Sequence, residues 1–162
     1  AQSARGSGLR VLDTRKTIPG LRLAQKYAVA VGGCENHRIG LFDAFLIKEN
    51  HIAACGGIQS AIRTARAINA DKRIEIEVEN ITELQLALSA GADAIMLDNF
   101  STADISALSE IDMAGTEIEV SGNLTDTDLV KYKNTGIDFV SSGSLTKHIA
   151  AIDLSMRIID PT

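Results

Sequence analysis

Six apolar stretches punctuate the chain, and most of them close on a polar residue. They are LRVLD ending at Asp13, LFDAFLIK at Lys48, RIEIEV at Val78, ADAIMLD at Asp98, TEIEVS at Ser121 and IDFVSS at Ser142. Between them lie segments whose apolar residues recur at helical spacing: LRLAQKYAVAV, GIQSAIRTARAIN, ITELQLALSAG, TADISALSEI and TDTDLVKYKNTG. The pattern predicts β-strands alternating with α-helices, and the short, near-even spacing of the last four strands fits minimal β-α units with tight loops. Gly91 in AGAD and Gly136 in NTGID stand where a helix must stop before the next strand begins. Thr125, followed by acidic residues, reads as a helix N-cap.

Six such units with parallel strands leave two architectures, an open doubly wound sheet or a barrel. The even spacing and the lack of a G-x-G-x-x-G turn favour the barrel. A complete barrel of this type has eight strands. The expected fold is therefore α/β, an incomplete (open) α/β barrel of about six parallel strands.

Composition agrees with buried parallel strands. Of the 162 residues 45% are hydrophobic but only 4% aromatic, so the core must be aliphatic. Two cysteines, Cys34 and Cys55, without metal-type spacing suit a reducing, cytoplasmic setting. No apolar run reaches membrane-spanning length, so no membrane partner is expected. The first eight residues, AQSARGSG, read as a flexible start with no initiator methionine, as in a truncated chain. Residues 9–150 form the expected barrel domain. A last segment over 151–162, with Leu154, Met156 and Ile158 alternating in DLSMRII, is expected as a strand.

The net charge of −5 conceals a division. Up to Lys48 there are eight Lys/Arg and three Asp/Glu; beyond it, eight and eighteen. Bases gathered in one third of an acidic protein point to a small anionic ligand. Nucleic acid would require a broader basic face and more aromatics.

The polar residues at strand ends are candidates for a shared site, because barrel enzymes build their chemistry there. Arg15 and Lys16 follow the first strand, Lys48 closes the second, and Asp98, Ser121 and Ser142 close later ones. A lysine ending an apolar strand requires an anionic partner, either a ligand or a structural ion pair with Glu49 or Asp98. His37 and Arg38 follow a Gly-Gly turn; His37 and His51 match no metal spacing, and His51 reads as a loop residue. Glu75, Glu77 and Glu79 share one face of the third strand and repel unless cations or hydroxyls meet them, so at least one should face the pocket. The turns Ser121-Gly122-Asn123 and Ser142-Gly143-Ser144 precede helices and offer backbone N–H groups to a phosphate. On these residues alone an enzyme acting on a small phosphorylated anion, a Schiff-base aldolase using Lys48 and a non-catalytic phosphate-binding domain all stay open.

Six motifs in order, DTRKTIPGLR, NHRIGLFDAFLIKENH, EIEVEN, IMLDN, EVSGN and SSGSLTKHIAAIDLSMRI, make the chain resemble the C-terminal domain of the quinolinate phosphoribosyltransferases from Arg10 onward. The resemblance implies an incomplete barrel that normally follows an N-terminal α/β sandwich domain, absent from this chain. It implies transfer of a phosphoribosyl group from phosphoribosyl pyrophosphate to quinolinate, with loss of carbon dioxide, and Mg²⁺ as cofactor. It assigns Arg15, Lys16, His37, Arg38 and Lys48 to quinolinate and makes Lys48, Glu77 and Asp98 catalytic. Glu77 and Asp98 would hold ribose hydroxyls near Mg²⁺, with no residue assigned as a metal ligand. Ser121, Gly122, Asn123, Ser142, Gly143 and Ser144 would take the 5′-phosphate. A homodimer or higher homo-oligomer is also implied, with an arginine supplied by the partner's N-terminal domain and the 151–162 strand packed on the missing domain. Departures from the family pattern are small: Ile18 replaces a usual threonine, Cys34 a common glycine, and Asn123 a glycine of some members.

Overall fold

The computed structural model describes residues 8–122, 129–132 and 135–159. Six strands form one all-parallel sheet: β1 (Arg10–Leu12), β2 (Phe45–Ile47), β3 (Ile74–Val78), β4 (Ala94–Asp98), β5 (Glu117–Ser121) and β6 (Phe139–Ser141). Their order is β1-β6-β5-β4-β3-β2. Strands β2 to β6 are neighbours in sequence order, and β1 adds beside β6. A doubly wound sheet would reverse its order at a switch point; this cyclic order is that of a barrel left open between β1 and β2. An isolated parallel bridge, Leu12 to Glu35, lies in that opening.

Alternation along the strands divides the side chains between two layers. Ile74, Ile76, Val78, Ile95, Leu97, Ile118 and Val140 are all essentially sealed from solvent, as are Ile62 of α3 (Ile58–Ile68) and Leu84 of α4 (Ile81–Ser89). Burying each such side chain contributes about 1.5–3 kcal/mol, so this aliphatic layer carries most of the stability. The opposite positions, Glu75, Glu77, Met96, Asp98, Glu119, Ser121 and Ser141, turn to the concave side, and that is what places polar chemistry there.

Helix ends follow their expected chemistry. The Asn80 side chain accepts the Glu83 N–H at 3.0 Å at the start of α4, and Gly91 adopts φ +75° just beyond its end, a conformation a side chain resists. Ser101 and Asp104 cap α5 (Thr102–Ala107) reciprocally, and a 3₁₀ turn over Leu108–Glu110 completes the predicted segment.

Several expectations are corrected. The second strand is shorter than LFDAFLIK, because Leu41 and Phe42 sit in an exposed turn ahead of Phe45. His51 lies within a helix, α2 (Glu49–Cys55), where its Nδ1 accepts the Lys48 N–H at 3.0 Å. The strand expected over 151–162 is one packed on another domain and is not tested by this chain: residues 151–159 join no ladder among the described residues, and Leu154, Met156 and Ile158 are almost fully exposed. The N-cap reading of Thr125, the Asn123 assignment and most of the 125–136 helix fall outside the described residues. A 3₁₀ turn spans Val130–Tyr132. The last helix, α6, covers Ser144–Lys147. Among the described residues no helix is long and apolar enough to cross a membrane, and both cysteines are free.

Candidate active site

At the C-terminal ends of the strands lies a cavity of about 450 Å³. Going round the sheet, β2 delivers Lys48, β3 Glu77, β4 Asp98 and Asn99, β5 Ser121 and Gly122, and β6 Ser141 and Gly143. The segment after β1 closes the ring with Thr14, Arg15 and Lys16, while His37 and Arg38 enter from the opening between β1 and β2. Of the residues expected from sequence, ten therefore line one cavity: Arg15, Lys16, His37, Arg38, Lys48, Glu77, Asp98, Ser121, Gly122 and Gly143. Ser142 and Ser144 do not line it; their hydroxyls bond each other at 2.7 Å beneath the Gly143 turn.

Lys48 forms an ion pair with Glu77, neither Glu49 nor Asp98 being its partner. Register explains this, because Lys48 and Glu77 are the inward residues at the ends of adjacent strands β2 and β3. Glu79 lies beyond the strand and is exposed. Asp98 stands 3.5 Å from the Ser121 hydroxyl on the next strand.

The cationic side is different. Arg15, Lys16 and Lys147 have no carboxylate partner among the described residues. Arg38 donates from Nη1 to the Ala44 carbonyl at 2.9 Å, yet its Nε and that of Arg15 are buried without partners. Burial, and then the like charge of Arg15, hold the Arg38 guanidinium below its usual value. Two guanidiniums held close and partly dry suit an anion with more than one charge.

A second group of residues fixes this corner, and sequence reading did not find it. Asp13 is fully buried; it takes the Lys26 ammonium at 2.5 Å, the His37 N–H at 2.9 Å and the Asn36 amide at 2.8 Å. Lys26, on α1 (Arg22–Val31), also donates to the His37 carbonyl at 2.7 Å. On the other side Thr146 donates to the Lys16 carbonyl at 2.7 Å, and Gln25 bridges Ile18 and Thr146. The signal available in the sequence was Asp13 itself, a carboxylate ending an apolar strand, together with Lys26 in the middle of an amphipathic helix. Lys147 was missed because α6 is only four residues long.

His37, Glu75 and Glu119 converge below the cavity with ligand atoms close enough to hold a cation. The ring is poorly set for one. Its Nδ1 accepts the Arg38 N–H at 2.8 Å, whereas coordination at Nε2 would leave the ring proton on Nδ1, facing that donor.

Known proteins share this sequence pattern and fold. Residues 1–157 match the family described as "Quinolinate phosphoribosyl transferase, C-terminal domain". The chain belongs to the quinolinate phosphoribosyltransferase family. The nicotinate-nucleotide pyrophosphorylase from Francisella tularensis superposes with a TM-score of 0.90 at 52% identity, covering 95% of this chain and 55% of that one. NadC from Streptococcus pyogenes gives 0.89 at 46% identity, covering 96% and 55%. The Bacillus subtilis protein named "Probable nicotinate-nucleotide pyrophosphorylase [carboxylating]" is 43% identical over 93% of this chain and 52% of its own length. The chain thus spans about half the length of the relatives it matches, and the part it spans corresponds to the family's C-terminal domain.

Proposed function

We propose that this barrel carries the phosphoribosyl-transfer site of a carboxylating nicotinate-nucleotide pyrophosphorylase, joining quinolinate to phosphoribosyl pyrophosphate. The observation that carries the reading is the pair Arg15 and Arg38, two guanidiniums without acidic partners among the described residues, at one wall of the cavity. A pyridine dicarboxylate supplies two negative charges on one rigid ring, which suits two forked donors and the nearby Lys16. Glu77 and Asp98, at the ends of neighbouring strands, are suited to the ribose hydroxyls and to positive charge building at C1 as pyrophosphate leaves. The Gly122 and Gly143 turns present backbone N–H groups where a 5′-phosphate would lie, with Lys147 beside the second.

Glu77 and Asp98, on the acidic side of the cavity, would hold Mg²⁺ through the bound substrate, and the ion would supply charge neutralisation for the pyrophosphate leaving group. The ring nitrogen takes the ribose C1 as the C1–O bond to pyrophosphate breaks. The C2–carboxyl bond then breaks, its electron pair passing toward the now cationic ring. Carbon dioxide leaves, and C2 takes up a proton. A Schiff-base role for Lys48 is disfavoured, since attack on a carbonyl needs a free amine lone pair and Lys48 is in an ion pair.

In the intact assembly we read the exposed apolar stripe of Leu23, Tyr27 and Val31 along α1 as covered in a homo-oligomer, in the cytoplasm. The test is release of pyrophosphate and carbon dioxide from phosphoribosyl pyrophosphate and quinolinate by the intact protein. Label placed in the ring's 2-carboxyl should appear as carbon dioxide in step with pyrophosphate. Pyrophosphate release without carbon dioxide would point to a different ring acid.

A further inference from the structure

Beneath the cavity the concave face holds a polar cluster that the proposed chemistry leaves unused. Glu75 of β3 and Glu119 of β5 both turn inward beside Ala94 and Met96 of the intervening β4, and both are buried. His37 Nε2 stands 2.8 Å from one Glu75 oxygen and 3.7 Å from one Glu119 oxygen. Among the described residues neither His37 Nε2 nor Glu119 Oε1 has an aligned hydrogen-bond partner, although both are buried. Such orphan atoms in a native interior need an explanation.

Donor counting supplies one. Two ionised carboxylates are acceptors only, and they would face each other with one ring donor and the Ser141 hydroxyl, which bonds Glu119, to serve both. Two like charges sharing a dry space cannot both be held cheaply. One proton between them closes the set: Glu119 donates to Glu75, and Glu75 accepts from Nε2 of His37. The electrostatics agree in direction. Burial and then the Glu75 charge push the Glu119 carboxyl well above its usual range. Burial opposes ionisation of Glu75 as well, but its contact with the His37 ring, a hydrogen bond from Glu119 and the Arg73 charge together hold that carboxyl low.

The consequence reaches the anion site. The His37 peptide is gripped at both ends, by Asp13 on its N–H and by Lys26 on its carbonyl. Its ring is gripped at both nitrogens, by the carboxyl pair below and by the Arg38 N–H at Nδ1. The ring therefore fixes the peptide from which the Arg38 side chain departs. We infer that Glu75 and a protonated Glu119 form a positioning pair that holds His37, and through it Arg38, in the geometry that receives the substrate's carboxylates. His37 then acts from below as a strut, and the anionic ligand meets Arg38 instead. This inference rests on the reading of the cavity as a diacid site.

Imidazole nitrogen NMR on the intact protein tests it. The chain has three histidines, and His37→Gln identifies the ring of interest. The expected spectrum has the ring proton on Nε2 and Nδ1 as an acceptor. Glu119→Gln, which copies a protonated carboxyl, should preserve that pattern and leave the quinolinate KM within about twofold. Glu75→Gln should disturb the ring pattern and raise KM by about tenfold with kcat largely kept, the mark of lost binding geometry. A ring proton on Nδ1 in the unmodified protein overturns the pair, as does equal damage from the two substitutions at matched thermal stability. If the unmodified protein transfers no phosphoribosyl group, the functional reading falls, while the ring pattern and its different response to the two substitutions still decide the pair.

Discussion

The two ends of the barrel use similar residues to opposite effect. At the N-terminal end, arginines meet acids: Arg10 takes Glu35 in a forked contact at 2.7 to 3.1 Å, Arg73 takes Glu117, and Arg66 takes Asp93 at 2.5 Å. Arg10 also lies 4.3 Å from the Phe139 ring centre. At the C-terminal end Arg15, Arg38, Lys16 and Lys147 face a cavity without acidic partners among the described residues. A cavity of about 310 Å³ exists at the N-terminal end too; Arg38 borders both cavities, but Arg10 and Arg73, the arginines that belong to this end, are already paired. Paired cations hold strands in register; unpaired ones are left for a ligand. The contrast separates scaffold from site without reference to any relative.

The largest break in this contrast should come from the mouth. Arg15→Ala and Arg38→Ala should each weaken quinolinate binding by about 1.5–3 kcal/mol, the worth of a charged hydrogen bond, with little change in melting temperature. Lys48→Ala should lower turnover by a comparable factor and also leave Glu77 without its cation. Calorimetric titration and steady-state assays measure both.

A second effect is ionic. Raising salt from about 0.05 M to about 0.5 M shortens the screening length to a few ångströms and should weaken quinolinate binding by roughly tenfold. An affinity insensitive to salt would remove the case for the cationic wall.

The smallest effects belong to the other end. Asp93 is buried enough to resist ionising, yet its bonds to Arg66 and to the Ile74 N–H hold its carboxyl below the usual range. A carboxyl lowered on folding contributes stability above its unfolded value near pH 4 and loses it as the pH falls through the folded value. Asp93→Asn should therefore cost about 1 kcal/mol at neutral pH, discounted for an ion pair about one-third exposed, and flatten the acid side of the stability curve. Ligand affinity should not move. Arg10→Gln should cost less still.

Much of this was legible in the chain because parallel β-α units force it. Apolar alternation fixes which strand residues enter the helix layer, and polar residues at strand ends then have one place to go. Lys48, Glu77, Asp98 and Ser121 were readable for that reason. What resisted reading were partnerships set by three-dimensional neighbours. Lys48 pairs with Glu77 because β2 lies beside β3 in register, a fact of sheet order that charge spacing along the chain does not carry. The tetrapeptide EIEV occurs twice, at Glu75–Val78 and Glu117–Val120, yet only the fold places Glu75 and Glu119 around one histidine. The tail shows the converse: its alternation is real, but a strand needs a neighbour, and among the described residues it has none.

Titration of quinolinate into the intact protein and into the Arg15→Gln/Arg38→Gln double variant at low salt tests the central claim most directly. The account predicts saturable binding in the first and a loss of at least about a hundredfold in the second, two charged contacts removed together. Melting temperatures should stay equal within about 2 °C. Equal affinity in the two proteins would contradict it.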